Sequence, residues 1–309
     1  MDDFADLTPL LASLNPAQKA AVTAPPEHRL VLAGAGSGKT RVLVHRVAWL
    51  IAVETVSPYS ILAVTFTNKA ANEMRGRLEQ LLRVPVRALW VGTFHGIAHK
   101  MLRLHAQEAG LRPDFQVLDA DDQRRLVKRV IKGLDLPEDQ WPEKLVTGWI
   151  NTQKEEGRRP EQFSDDGDFT QRQLVRLYSA YQAACQAQGL VDFAELLLRA
   201  YELCRDHAGI QAHYRAKFRH LLVDEFQDTN TLQYLWLKVL AGPEGIVFAV
   251  GDDDQSVYSW RGAKVENLHR LSRDFAGIEV VKLEQNYRST GTILKAANGL
   301  IARNTARLG

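Results

Sequence analysis

The sequence has few cysteines, no long apolar run and no large excess of either charge. Its two cysteines, Cys185 and Cys204, form no CxxC pair and have no matching pair of histidines, which argues against a zinc site or a disulfide framework and predicts structural thiols. No apolar run approaches the roughly 20 residues needed to span a bilayer. The acidic start Met1-Asp2-Asp3 lacks the layout of a signal peptide. We therefore expect a cytoplasmic protein without a membrane partner.

The overall charge is nearly balanced, with 39 Lys and Arg against 37 Asp and Glu and a formal net charge of +2. This balance neither supports nor excludes binding to nucleic acid, because a local basic stripe can bind phosphates on a neutral protein. One such cluster follows a helical pattern and comprises Arg124, Arg125, Lys128, Arg129 and Lys132. A solvated helix face explains this cluster equally well, so the charge pattern leaves both interpretations open.

A stretch of small residues, Ala33-Gly34-Ala35-Gly36-Ser37-Gly38-Lys39-Thr40, lies between an apolar strand candidate and an apolar helix candidate. Small residues let the backbone direct N–H groups at phosphate oxygens, and the following helix N-terminus adds positive potential. Lys39 would reach the β and γ phosphates, and the Thr40 hydroxyl would bind Mg²⁺. Ala33 stands where the strict pattern has glycine, which is tolerated at negative φ. The alternative is a glycine-rich connector.

An apolar strand candidate much later in the chain ends in two adjacent carboxylates, Asp224 and Glu225. Strands of a parallel sheet deliver such residues to the sheet edge where ligands bind. Asp224 is suited to hold Mg²⁺, and Glu225 to orient and deprotonate an attacking water. Alone, this strand end would indicate a solvated turn, but combined with the small-residue loop it predicts an ATPase.

Strands and helices alternate over residues 29–93 and again after residue 208, whereas residues 113–207 are almost entirely helical in pattern. We therefore predict an α/β fold: a doubly wound phosphate-loop domain with a parallel sheet, interrupted by an inserted α-helical subdomain. The predicted boundaries are 1–112 and 208–282 for the discontinuous ATP-binding domain and 113–207 for the insertion.

Further strings occur in a distinctive order around these two elements. They are Leu14-Asn15-Pro16-Ala17-Gln18, Thr65-Phe66-Thr67-Asn68-Lys69-Ala70-Ala71, Gly92-Thr93-Phe94-His95-Gly96, Leu190-Val191-Asp192-Phe193-Ala194-Glu195, Gln227-Asp228, Val250-Gly251-Asp252-Asp253-Asp254-Gln255-Ser256-Val257-Tyr258-Ser259-Trp260-Arg261-Gly262 and Gln285-Asn286-Tyr287-Arg288-Ser289. With these strings the whole chain resembles the superfamily 1 DNA helicases of the UvrD, PcrA and Rep group, particularly the UvrD branch. The resemblance implies an ATP-driven 3′ to 5′ translocase on single-stranded DNA that is built from two RecA-like lobes, of which the parallel-sheet domain predicted above is the first.

The resemblance also implies roles at the nucleotide. Gln18 is similar to the residue that reads adenine, Tyr287 to the tyrosine that stacks on that base, and Arg41 to a nucleotide contact. Gln255 resembles the glutamine that senses the γ-phosphate, and Arg288 an arginine finger. The implied nucleotide site thus contains Gln18, Ala35, Gly36, Ser37, Gly38, Lys39, Thr40, Arg41 and Tyr287, with Lys39, Asp224, Glu225, Gln255 and Arg288 in catalysis and Thr40 and Asp224 at the metal.

For DNA, aromatic faces stack on unpaired bases without regard to sequence. The motif positions implicate Phe66, Tyr258 and Trp260 in stacking, although core packing remains an equal alternative for Tyr258. Backbone contacts are implied for Thr67, Asn68, Thr93 and His95. The implied partners are single-stranded DNA, junctions of single and double strands, and repair proteins of the excision and mismatch pathways, with a nucleoid-associated location.

In the family that the chain resembles, a second RecA-like lobe follows the last of these strings. Here the chain continues only to Gly309 after the strand candidate that ends at Leu283, and independent domains need at least about 50 residues. The resemblance therefore implies that residues 283–309 are the start of a second, truncated RecA-like domain. We therefore expect the N-terminal motor lobe of a longer helicase, which binds nucleotide, hydrolyses ATP slowly and does not unwind DNA alone. Two other interpretations stay open. The chain could act only as a module that binds nucleotide, single-stranded DNA or a partner, or it could be an ATPase that moves no DNA.

Overall fold

The structure is a computed structural model that describes residues 8–82, 86, 88–164, 167–256, 262–264 and 266–301. The described chain forms two compact units. The first contains the described residues up to Ile97, then Ala212–Thr229, and those from Leu240 onward. The second contains Ala98–Gln211 and Asn230–Val239.

The first unit is built on a six-stranded sheet in which every described strand pair is parallel. Its strands are β1 Arg29–Ala33, β2 Ile61–Thr65, β3 Trp90–Thr93, β6 His220–Val223, β7 Ile246–Gly251 and β8 Glu279–Leu283. Their order across the sheet is β3, β2, β6, β7, β1, β8. The second unit has a two-residue pair, β4 Gln116–Val117 and β5 Leu190–Val191.

The central strands are short apolar runs, as expected when helices cover both faces of a parallel sheet. Every residue of β1, β2 and β6 is buried, whereas four of the five positions of the edge strand β8 are at least partly exposed. Register places Leu32 of β1 opposite Gly251 of β7, and Val64 of β2 opposite Val223 of β6. The carboxyl ends of these strands therefore meet along one edge of the sheet.

The helices of the described chain follow in sequence order. They are α1 Thr8–Leu11, α2 Pro16–Thr23, α3 Lys39–Ala52, α4 Asn68–Leu82, α5 Phe94–Leu104, α6 Ala120–Gly133, α7 Glu143–Glu155, α8 Phe169–Gln188, α9 Phe193–Asp206, α10 Ala208–Lys217, α11 Thr231–Ala241, α12 Glu266–Asp274 and α13 Gly291–Ile301. In the first unit, α3 and α4 pack their apolar faces on the sheet through Val42, Val47 and Met74. In the second unit, α6, α7 and α8 share a core around Ile131, Ile150 and Leu177.

In the first unit, the buried side chain of Arg46 stabilises the turn that leads into the sheet. The Arg46 guanidinium on α3 donates to the carbonyl oxygens of Val22, Ala24 and Pro25 at 2.8, 2.6 and 3.2 Å. Burial lowers the pKa of Arg46 to about 10, which still leaves it charged at neutral pH. These bonds fix the turn that leads from α2 into β1, and hence the start of the strand that carries the small-residue loop.

The predicted α/β fold with a RecA-like parallel sheet and a helical insertion is confirmed. The predicted alternation of strands and helices over residues 29–93 and after residue 208, and the helical pattern of residues 113–207, correspond to elements of the structure, while α1, α2, α5 and α10 were not predicted. The helix α5 begins directly after β3, without an intervening loop. Its N-terminal cap is the last strand residue, Thr93, whose Oγ1 accepts from the Gly96 N–H at 3.1 Å. The exact domain boundaries stay a prediction.

Both cysteines are buried and neither forms a disulfide, and burial raises the pKa of the Cys185 thiol to about 11. Such a thiol is an unreactive core group at neutral pH. Across the part of the chain that the structure describes, no helix is both long enough and apolar enough to cross a bilayer.

Candidate nucleotide site

The small-residue loop joins the end of β1 to the start of α3 and folds on itself. Gly36 and Gly38 have φ of 70° and 87°, where side chains are strained, whereas Ala33 is not among the residues with positive φ. Ser37 closes the turn with its N–H and Oγ, which donate to the Gly34 carbonyl at 3.2 and 2.7 Å. Gly38 precedes α3 without a side-chain cap. The first N–H groups of α3 are therefore available to an anion.

A Cβ atom has no room at either of these two glycines. One built on Gly36 would lie 2.6 Å from Arg288 Cβ, and one built on Gly38 would lie 2.8 Å from Gln18 Nε2. The side chains of Arg288 and Gln18 thus lie close against the loop at its two left-handed positions, and the small residues of a phosphate-binding loop suit such a confined backbone.

The acidic end of β6 lies against this loop. Thr40 Oγ1 donates to Asp224 Oδ2 at 3.1 Å, and Glu225 Oε2 lies 3.0 Å from Lys39 Nζ. Glu225 has φ 49° and ψ 47°, a left-handed conformation that is uncommon for a residue with a side chain and is often found at functional sites. Residues remote in sequence are therefore brought together in the arrangement that the two motifs predict.

The carboxyl groups beside the loop are destabilised in their charged form. Burial, followed by the nearby Glu225, raises the pKa of Asp224 to about 6, although the Thr40 hydrogen bond opposes this shift. The same two causes raise the pKa of Asp228 to about 6, and burial raises the pKa of Asp252. A bound cation would relieve this unfavourable charge.

These residues fit Mg²⁺ and a phosphate group. Lys39 is 8% exposed, and its ammonium has no described hydrogen-bond acceptor, since its contact with Glu225 lacks the geometry of a hydrogen bond. No three His, Cys, Asp or Glu side chains converge as a metal cage among the described residues. Mg²⁺ suits such a site because it is held by one or two protein oxygens, water and substrate phosphates.

A cavity of about 610 Å³ opens over the loop, large enough for a nucleotide. Its described lining is Gly36, Gly38, Lys39, Thr40, Arg41, Ala70, Glu73, Arg77, Glu225, Gln255, Tyr287 and Arg288. Nine of these twelve residues were predicted from the sequence. The exceptions, Ala70, Glu73 and Arg77, lie on α4, where an i,i+4 ion pair between Glu73 and Arg77 has the sequence pattern of an ordinary solvated helix face.

The segment after β8 lies on the loop. The Tyr287 N–H donates to the Gly36 carbonyl at 2.9 Å, the Asn286 amide donates to the Ala35 carbonyl, and Asn15 Nδ2 donates to Tyr287 Oη at 2.8 Å. Tyr287 and Arg288 thereby reach the cavity wall. The Tyr287 side chain remains about half exposed.

Gln18 makes different contacts from those expected of an adenine reader. Its Oε1 accepts from the Asn15 N–H at 3.0 Å and its Nε2 donates to the Ser37 carbonyl at 2.8 Å, so both ends of the buried amide bind protein. In this arrangement Gln18 caps α2 and supports the loop. Adenine recognition by Gln18 stays a prediction.

The residues implicated in DNA binding lie at the ends of the adjacent strands β2 and β3. Phe66 packs edge-on against Phe94, with ring centroids 5.8 Å apart. Thr67 and Asn68 are exposed at the start of α4, and Thr93 closes β3. Burial lowers the pKa of His95, which keeps its imidazole neutral. Tyr258 and Trp260 lie outside the described residues.

Asp224→Asn is expected to stabilise the protein in the absence of Mg²⁺ by about 1–3 kcal/mol at neutral pH. The folded-state pKa of Asp224 lies above the ordinary 3.8, so the folded protein binds more protons than the unfolded chain between pH about 4 and about 6. The wild type therefore loses stability as pH rises through this window, and the amide does not. Urea unfolding followed by circular dichroism measures the difference.

The pH series supplies the control for this prediction. Below pH about 4 the carboxyl group is protonated in both states, so the advantage of Asp224→Asn should vanish. Mg²⁺ with a non-hydrolysable ATP analogue should stabilise the wild type and not the variant. An advantage that persists unchanged at pH 4, or a variant that is less stable at pH 7, contradicts the prediction.

Comparisons with known proteins agree with this geometry. Residues 14–276 match the family model described as the UvrD/REP helicase N-terminal domain. The chain is 58% identical to DNA helicase II of Escherichia coli K12 over 98% of its own length and 42% of the relative's. It is 53% identical to DNA helicase II of Haemophilus influenzae, with the same coverage, and 41% identical to the ATP-dependent DNA helicase PcrA of Leuconostoc citreum over 97% of this chain and 40% of that protein. The chain therefore belongs to the UvrD/REP helicase family.

Proposed function

We propose that this chain is the N-terminal motor lobe of an ATP-dependent 3′ to 5′ single-stranded DNA translocase and DNA helicase that acts in nucleotide excision and mismatch repair. The proposal rests on the cavity over the small-residue loop, which is large enough for a nucleotide. Its lining includes Lys39, Thr40, Glu225, Gln255 and Arg288. The names of the relatives, DNA helicase II and ATP-dependent DNA helicase PcrA, support DNA as the substrate.

The binding steps follow from the contacts around Lys39. When ATP enters, the Lys39 ammonium exchanges Glu225 for the β and γ phosphate oxygens, while the N–H groups of the loop and of α3 hold the phosphates. Thr40 and Asp224, which are hydrogen-bonded to each other, would hold Mg²⁺ through their side-chain oxygens. The bound ion would supply positive charge to the phosphate oxygens during the reaction.

Hydrolysis uses the carboxylate that this exchange releases. Glu225 accepts a proton from the water that attacks the γ-phosphorus, the bond between that phosphorus and the bridging oxygen breaks, and ADP and phosphate leave. Gln255 and Arg288 line the same cavity, and in this proposal they contact the γ-phosphate. Tyr287, Arg41 and Gln18 serve the adenosine end of the nucleotide.

DNA would bind at the same sheet edge, beyond the ends of β2 and β3. Phe66, Thr67, Asn68, Thr93 and His95 lie there, and the sequence adds Tyr258 and Trp260 directly after Gln255. Stacking of bases on aromatic rings is worth about 1–3 kcal/mol per base and needs no particular sequence. A change at Gln255 on hydrolysis could thus alter base stacking a few residues away. The excision and mismatch repair proteins are proposed partners.

The test measures three properties of the 309-residue chain and of a version extended to the length of its relatives. These properties are binding of fluorescent ATP with Mg²⁺, binding of a labelled single-stranded oligonucleotide, and ATP hydrolysis with and without that oligonucleotide. We expect both proteins to bind Mg-ATP, and DNA to stimulate hydrolysis strongly only in the extended version, which also unwinds duplexes with 3′ tails.

Other outcomes assign the other functions. Binding of nucleotide and DNA without turnover in either version identifies a binding or docking module. Hydrolysis that DNA does not change, together with unchanged activity of Trp260→Ala in the extended version, identifies an ATPase that moves no DNA. Absence of Mg-ATP binding by both versions overturns the assignment of the small-residue loop.

A further inference from the structure

Gln227 is a buried glutamine in the short turn that follows the acidic end of β6. It is 1% exposed, and both ends of its amide are bonded. Its Nε2 donates to Glu225 Oε2 at 2.8 Å, and its Oε1 accepts from the Asp252 N–H at 3.0 Å. Because a backbone N–H can only donate, the amide oxygen must face Asp252. The NH₂ group therefore faces the carboxylate.

Gly251, the last residue of β7, makes this bridge possible. A Cβ atom at this position would lie 2.9 Å from Gln227 Oε1 and 3.4 Å from the Gln227 backbone nitrogen. Any side chain here would press on the amide that spans the two strand ends. The β6 and β7 ends are thus fitted to each other through Gln227.

The bridge continues to the cavity. The Asp252 carboxylate accepts from the Asp254 N–H at 3.0 Å and from the Gln255 side-chain amide. Gln255 lines the nucleotide cavity, as does Glu225. Hydrogen bonds through Gln227 and Asp252 therefore connect Glu225, which follows β6, with Gln255, which follows β7. Both of the connected residues line the cavity.

Three features of Glu225 indicate that its carboxylate needs a fixed hydrogen-bond partner. Its backbone is in the left-handed region, its side chain is 35% exposed, and the same Oε2 that accepts from Gln227 lies 3.0 Å from Lys39. We propose that Gln227 is a positioning residue that holds the Glu225 carboxylate in place when Lys39 leaves it for phosphate, and that couples this carboxylate to the Gln255 end of β7. This inference rests on the proposed ATP hydrolysis and concerns the rate of that reaction.

The bond from Gln227 to Oε2 distinguishes the two oxygens of the Glu225 carboxylate. With Oε2 fixed by the Gln227 amide, Glu225 presents its other oxygen to the attacking water in a defined direction. Misplacement of a reacting group by about 1 Å can lower a rate about 10²-fold. The described hydrogen bonds of the Gln227 side chain go to Glu225 and Asp252, and Gln227 is not part of the described cavity lining, so nucleotide affinity should be little affected.

The experiment compares Gln227→Glu, Gln227→Leu and Gly251→Ala with the wild type in the 309-residue chain. Gln227→Glu keeps an acceptor for the Asp252 N–H but places oxygen against the Glu225 carboxylate, whereas Gln227→Leu removes both bonds. Gln233→Leu is the control, because Gln233 is a buried glutamine that caps a helix by accepting from the Asn230 N–H. Single-turnover hydrolysis with protein in excess over ATP gives the rate constant, and a fluorescent non-hydrolysable ATP analogue gives Kd.

We expect Gln227→Glu to lower the single-turnover rate constant about 10²-fold while Kd changes less than about threefold. The rate constants of Gln227→Leu and Gly251→Ala should lie between those of Gln227→Glu and the wild type. Gln233→Leu should leave the rate constant unchanged. Two results overturn the positioning role alone. One is an unchanged rate constant in a folded Gln227→Glu protein, and the other is a lower rate constant that comes together with weaker nucleotide binding and a lower melting temperature. A wild type that neither binds nor hydrolyses Mg-ATP instead overturns the proposed function, and this role with it.

Discussion

Lys39→Ala is expected to lower the rate of ATP hydrolysis by at least about 10²–10³-fold, the loss typical when one preorganised donor to developing charge is removed. Lys39 is the buried cation at the centre of the loop, and its ammonium lacks a hydrogen-bonded acceptor in the described protein. Alanine removes both the charge that meets the phosphates and the ion pair with Glu225. The measurement is single-turnover hydrolysis together with titration of a fluorescent ATP analogue.

The control for this substitution is Lys19→Ala, an exposed lysine of α2 in the same compact unit. It removes the same charge from the protein and should change neither rate nor affinity by more than about twofold, because exposed charges contribute little at a distance. Circular dichroism checks that both variants are folded. In the version extended to the relatives' length, Lys39→Ala should abolish unwinding, and retained unwinding would contradict the role of the loop.

The convergence of the loop with the acidic strand end was within reach of the sequence because each element carries a strong local signal. Small residues between an apolar strand and an apolar helix define the loop, and an apolar run ending in two carboxylates defines the strand end. Parallel-sheet topology then places both at the same edge. The hydrogen bond of 3.1 Å between Thr40 and Asp224 is the geometric result of that topology.

The bridging role of Gln227 could not be predicted in the same way. In the sequence it is one polar residue after two carboxylates, and nothing local shows that its amide meets the Asp252 N–H from another strand. Gly251 carried the only hint, since a glycine at a strand end often marks a close approach of other atoms. Contacts between strand ends depend on register, which single-sequence patterns do not specify.

The basic cluster on α6 shows another limit of sequence patterns. Arg124 and Arg125 pair with Asp121 and Asp122 one turn earlier, and Lys128 pairs with Glu138 at 2.8 Å. Three of the five cations are therefore already neutralised at the surface, which favours the solvated-face interpretation over a phosphate-binding stripe. The sign of each charge is evident in the sequence, whereas the partner of each charge depends on rotamers and turns.

The second unit has its own dependence on buried charge, centred on Lys154 of α7. Its Nζ lies 2.6 Å from Asp192 Oδ2 and 2.9 Å from Glu195 Oε2, and all three side chains are at most 7% exposed. Burial alone would lower the pKa of Lys154, but Asp192 and Glu195 outweigh it and hold this pKa above its ordinary value. Lys154, Arg159 and Arg199 likewise overcome burial and lower the pKa of Glu195. Asp192 also caps α9, so these charges fix where α7, α8 and α9 meet.

Lys154→Met is therefore expected to destabilise the protein by about 3–5 kcal/mol, because it leaves two carboxylates buried without their shared cation. The matched control is Lys144→Met, the same change at an exposed position of the same helix, which should stay within about 0.5 kcal/mol of the wild type. Urea unfolding followed by circular dichroism and by tryptophan fluorescence measures both. The deficit should shrink on acidification, since the unpaired carboxylates then take up protons and no longer need a partner. If Lys154→Met falls within 1 kcal/mol of Lys144→Met at pH 7, the ion network does not hold these helices together and their apolar core alone is sufficient.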